Sequence, residues 1–221
     1  MIQEDLTLKK RIALVSIPIL LQILYLPTSR YLTGGIEPKI ALDIIPIWPI
    51  WVVPYMLVWP IWIAAYAWAA FKMQGRLFRV AVVSATFTIG VGMTIFMLYP
   101  TYVTRPVITG DDFFTQFLRY VYANDGRYDA APSGHVYMTT LLALFYSLWY
   151  PRYKWIWMGI LAIVCLSTLF TGQHYILDVV TGLALGIVGY YSGFWLVDKW
   201  DKKPVKKKPI DEPDSTISTT D

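Results

Sequence analysis

The chain has 221 residues, 56% of them hydrophobic and only 15% charged, with ten tryptophans and a mean hydropathy of +0.47. A soluble domain of this length needs a more polar exterior, so the composition points to a membrane protein. The net charge of +4 comes mainly from the segment DKKPVKKKP, whose grouping at a segment end argues against a nucleic-acid surface, and a single cysteine, Cys165, excludes an internal disulfide.

A helix crossing a membrane needs roughly 20 mostly apolar residues to traverse about 30 Å of hydrocarbon. Six segments fit, at about 12–26, 50–71, 77–99, 132–150, 155–170 and 174–197. The expected fold class is therefore all-α, a polytopic membrane protein with six transmembrane helices. The first segment follows Lys9, Lys10 and Arg11 but reads as a retained helix and not a signal peptide. Glu4 and Asp5 interrupt the basic start, and YLPTSRYL offers no small-residue cleavage site.

The second segment carries Pro54 and Pro60, which predict a bend. That bend serves either packing or the opening of a cleft for lipid. The longest loop, about 101–131, contains DDFFTQFLRYVY, with Phe113, Phe114, Phe117, Leu118 and Val121 on one helical face. Such a helix lies against lipid headgroups or caps the bundle. With a cytoplasmic N-terminus, fourteen Lys and Arg residues fall on the cytoplasmic side and five on the other. Six crossings then give a cytoplasmic N-terminal tail (1–11), a membrane domain (12–198) and a basic, disordered cytoplasmic tail (199–221). The expected location is the cell membrane.

Only two histidines are present, His135 in APSGH and His174 in TGQHYILD. Both stand where a predicted helix starts on the extracytoplasmic side, and Arg105 in TYVTRPV falls on that side too. His174 and Asp178 are four apart, so on a helix they share a face. Asp178 then fixes the imidazole tautomer and leaves the other nitrogen as nucleophile or base. Pro132 suits a first helical turn, and Ser133 and Gly134 offer a hydroxyl and free N–H groups to an anion. Arg105 supplies a fork matched to phosphate oxygens, and His135 a proton for a leaving oxygen. Together these parts describe phosphoryl transfer. A zinc site from His135, His174 and Asp178 is the other arrangement open to these residues, but it lacks the Cys or third His usual for zinc.

At these residues the sequence resembles the type 2 phosphatidic acid phosphatase superfamily of membrane enzymes. That family carries a Lys seven positions before Arg-Pro, then Pro-Ser-Gly-His, then Ser-Arg with a downstream His and Asp. Here Arg105-Pro106, PSGH from Pro132 to His135, and HYILD from His174 to Asp178 match in order and spacing, within about residues 43–197. Leu98 stands where the Lys is expected, and Thr168, after Ser167, where the Arg is expected. These departures look more like the inositol phosphorylceramide synthase branch.

The resemblance implies a catalytic role for His174 as nucleophile, forming a phosphohistidine, with Asp178 orienting it. It implies that His135 protonates the leaving alkoxide and then activates the acceptor, while Arg105, Ser133 and Gly134 hold phosphoryl oxygens. No metal or other cofactor is expected, and the expected partner is a phosphorylated lipid. Two lost cations point to a less charged substrate such as a phosphodiester lipid, unless Arg119 or Arg127 replaces the charge. The competing function is a non-catalytic lipid-binding or transport protein that retains the fold.

Overall fold

The computed structural model describes residues 6–202. Residues 1–5 and 203–221, which hold parts of both expected tails, lie outside the described residues. The described chain is helical: α1 (Leu8–Ile23), α2 (Tyr25–Tyr31), α3 (Val52–Lys72), α4 (Gly75–Leu98), α5 (Phe113–Asn124), α6 (Gly134–Trp149), α7 (Lys154–Phe170) and α8 (Ile176–Asp201). Two isolated bridges, Ile36 to Thr101 and Thr101 to Asp129, tie the loops together at one end of the bundle.

Among the described residues, five stretches are long and apolar enough to cross a membrane: Leu8–Ser29, Pro49–Lys72, Gly75–Leu98, Pro151–Phe170 and Ile176–Asp201. That complement fits a multi-pass membrane protein. The segment expected at 132–150 is α6, only 16 residues long, with eleven of them buried. It packs against α7, α8 and α4 at the centre of the bundle. A helix apolar on all sides is stable where protein surrounds it, which is where α6 sits. The first expected segment falls within the span Leu8–Ser29, in which α1 starts at Leu8 and the helical path breaks at Leu24 before α2.

Two glycines of α8 set how closely α6 approaches. A Cβ at Gly186 would lie 2.6 Å from the Cβ of Thr140, and one at Gly182 would lie 2.9 Å from the carbonyl oxygen of Ser133. Pro60 lies inside α3, which nevertheless runs unbroken from Val52 to Lys72.

The loop helix α5 is a cap. Asp112 accepts the N–H groups of Phe114 (3.0 Å) and Thr115 (3.1 Å) and starts it. Leu118 and Val121 are buried against Val52 and Tyr55 of α3, while Phe113 stays 71% exposed. A second element, the extended strap at 32–48, crosses the same end. The Trp48 N–H donates to the Phe170 carbonyl (2.9 Å), and the Trp48 ring stacks on Phe170 at 4.6 Å. Cap and strap together bring residues distant in sequence to the ends of α6 and α8.

Candidate active site

The α6 side of the site begins at Ser133, the N-cap residue, so Pro132 lies one position before the cap and not in the first turn as expected. The Ser133 side chain makes no capping bond, and its buried Oγ has no partner. The first amides of α6 have no carbonyl within the helix to bond. His135, in that first turn, is 9% exposed and boxed by α3: its ring stacks on Tyr55 at 4.3 Å, with Trp62 at 5.6 Å and Trp59 at 5.8 Å. Its Nε2 is buried and unpartnered.

The His174 side is built by a turn and not, as expected, by a helical face. α7 ends at Phe170, and Gly172 takes a φ of +64°. A side chain at position 172 would be strained there and would meet Ile47 Cδ1 at 2.7 Å. The reversed chain lets Gln173 and His174 both donate their N–H groups to the Thr168 carbonyl, each at 3.1 Å. α8 starts only at Ile176, so His174 precedes the helix by two residues. Asp178 reaches back: its Oδ2 accepts the Tyr175 N–H at 2.9 Å and stands 3.4 Å from Nδ1 of His174. Asp43 of the strap takes the next free amide, Ile176 N–H, at 2.9 Å. Glu37 bonds the Tyr175 hydroxyl, so the strap holds this turn at two adjacent residues.

The two histidine rings face each other edge to face, 6.3 Å between centroids. They share a narrow cavity of about 30 Å³, also lined by Gly134, Gln173, Asp125 and Asp129. Sequence reasoning passed over Gln173, Asp125 and Asp129. Gln173 is 5% exposed with neither amide atom partnered, and Asp129 is 6% exposed with Oδ2 unpartnered. Burial, and then the neighbouring Asp125 carboxylate, push the Asp129 carboxyl up to about 6, with His174 acting in the opposite direction. Asp125 is itself held by the hydroxyls of Tyr55 (3.0 Å) and Tyr25 (3.4 Å). The only sequence signal for Asp129 was its place four residues before Ser133.

Arg105 is not among the residues lining this cavity. It donates to the carbonyls of Tyr122 (2.8 Å), Asp125 (3.0 Å) and Gly126 (2.5 Å), holding the chain where α5 ends, and its buried Nε is unpartnered. Of the two possible replacement cations, Arg127 lines the cavity from an exposed position. Arg119 instead pairs with Asp111 and the Gly110 carbonyl, away from the cavity. Leu98 is 67% exposed at the end of α4, and Thr168 is buried with its hydroxyl on the Cys165 carbonyl. Among the described residues, no group of three His, Cys, Asp or Glu side chains is placed to hold a metal ion.

An apolar cleft of about 410 Å³ adjoins the cavity and shares Gln22, Trp59, Trp62 and Met138 with it. Between α1, α3 and α4 it runs from Trp59 to Ala70 on α3 and from Ile89 to Phe78 on α4. At 1.5 Å per residue that is about 16 Å, close to half of a hydrocarbon core about 30 Å thick.

No curated protein matches the sequence. Residues 48–192, well over half of the chain, match the PAP2 superfamily. The match runs from the residue before the turn that starts α3 into α8 and takes in Arg105, PSGH, His174 and Asp178. Phosphatase chemistry on a phosphorylated substrate is what membership suggests, and on this match the chain belongs to the PAP2 superfamily.

Proposed function

We propose that the protein is a membrane phosphatase or phosphotransferase that cleaves a phosphate ester of a lipid through a phosphohistidine. The observation that carries the reading is the pair of facing histidines, 6.3 Å apart, with a buried carboxylate behind one of them. Asp178 bonds Nδ1–H of His174 and leaves Nε2 as the lone-pair nucleophile. Nε2 attacks phosphorus, the bond from phosphorus to the leaving oxygen breaks, and His135, which takes up a proton from water when the phosphate anion binds beside it, gives that oxygen its proton. Neutral His135 then takes a proton from water or an alcohol, whose oxygen displaces His174 from phosphorus. Ser133 and the first amides of α6, that of Gly134 among them, hold the phosphoryl oxygens at a positive helix end. For Arg105 to act as a phosphate ligand it must first release the carbonyls it holds.

The cleft supports the lipid part of the reading, since it offers one chain an apolar path from the catalytic cavity across about one leaflet. With α6 as a sixth crossing, both termini are cytoplasmic and the site faces the other side, in line with the distribution of Lys and Arg. Leu98 and Thr168 leave the site short of two cations, which favours a phosphodiester lipid and headgroup transfer, as in the inositol phosphorylceramide synthase branch. Incubation of the purified protein with a lipid extract, followed by mass spectrometry, tests this. A released phospho-headgroup or a new phospholipid is the expected product, and a protein that changes no lipid phosphate ester would overturn the reading.

A further inference from the structure

The mechanism above leaves the acidic wall of the cavity without a role. Asp129 lines the cavity together with the two histidines and has an unpartnered Oδ2, and Asp125 lines it too. Gln173 gives an independent sign that this wall meets a ligand, because both of its amide atoms are buried in the same cavity without a partner. Buried polar groups left unbonded are costly, so a bound group that satisfies them is the ordinary explanation.

The groups around Asp129 do not cancel its charge. Tyr55 presents its hydroxyl from α3 and donates it to Asp125, while the Tyr25 hydroxyl from α2 reaches both Asp125 and Asp129. His135 and Tyr137 face it from α6, and His174 from the turn before α8. Of the two arginines nearby, Arg105 is spent on three carbonyls and Arg127 sits exposed at the rim.

We propose that Asp129, backed by Asp125, is a specificity-determining residue that admits a phosphate ester carrying one negative charge and rejects one carrying two. This rests on the lipid phosphate ester reading of the site. Near neutral pH a phosphodiester carries one charge and a monoester close to two. The second charge would lie against a carboxylate inside a cavity poorly screened by water, where like charges a few ångströms apart repel strongly. With a carboxyl that titrates at about 6, Asp129 is ionised at the pH of such an assay.

The experiment compares kcat/KM for a phosphatidate-type monoester and a phosphodiester lipid at about pH 7.5, where Asp129 is charged. Full-length protein in detergent micelles is used. Asp129→Asn is expected to raise the monoester-to-diester ratio about ten- to a hundred-fold. An unchanged or lowered ratio in a folded variant overturns the proposal. If Asp129→Asn does not fold, Asp125→Asn decides: a smaller shift in the same direction supports it, and an unchanged ratio overturns it. His174→Ala, assayed alongside, separates the two levels. Loss of both activities keeps the underlying reading, so that a failed ratio test removes only the role of Asp129. Full retention of both removes the underlying reading itself.

Discussion

The backbone N–H of Ser133 donates to the carbonyl of Asp178 at 2.9 Å. One bond thus joins the cap of the helix bearing His135 to Asp178, whose carboxylate stands beside His174. It forms because Gly182, one turn further along α8, leaves room for the Ser133 carbonyl. Gly182→Ala should therefore push the two histidines apart. A destabilisation of about 1–3 kcal/mol is expected from overpacking a tight contact. The fall in kcat should be larger than any change in helix content, read by circular dichroism beside the activity assay.

Asp43 makes a long-range cap. It lies 133 residues before Ile176 yet accepts that residue's N–H beside the His174 turn. Asp43→Ala should cost about 1 kcal/mol, the usual worth of a helix cap. On the proposed mechanism it should lower kcat more than it raises KM, because it loosens the turn that carries His174 and touches no substrate. Asp43→Asn keeps an acceptor oxygen and should restore most of the loss.

Asp129 ties stability to pH. Its carboxyl titrates at about 6 in the folded protein against 3.8 for the free side chain. The folded state keeps the proton to higher pH than the unfolded chain does. The stability this brings is full below about pH 4 and is lost as pH rises through about 6. A shift of about two units corresponds to about 3 kcal/mol. Asp129→Asn should thus melt at a higher temperature than the parent above about pH 6, with the difference closing below about pH 4. Equal melting curves at every pH would count against a buried, charged Asp129.

The cleft should accept a lipid chain. Ala81→Phe places a ring in it from α4. KM for a long-chain substrate should rise roughly ten-fold, about the loss of one or two buried methylene groups. A short-chain analogue should be turned over as before. An equal effect on both substrates would separate the cleft from substrate binding.

The sequence exposes some parts of this molecule and hides others, for physical reasons. Apolar runs mark the helices, because a long buried or lipid-facing helix needs little else; the expected 155–170 and the observed Lys154–Phe170 differ by one residue. The same runs do not separate α6, enclosed by protein, from helices that face lipid. His135, His174 and Asp178 were legible as a set, since titratable groups are rare in such a chain. The setting of His174 was not. It depends on the left-handed Gly172 and on Thr168 accepting two amides, and neither leaves a periodic pattern. Asp125 and Asp129 join the cavity because α5 folds back over α3, a long-range contact with no local signal. Arg105 has the residue type and position for phosphate but is held by the chain at the end of α5.

Trapping the intermediate tests the central reading most directly. The protein, quenched during turnover of its lipid substrate and digested, should yield one acid-labile phosphoryl or phospho-headgroup adduct, on the peptide containing His174. His174→Ala should give neither adduct nor product. Product formation without any adduct at His174, together with full activity of His174→Ala, would contradict it.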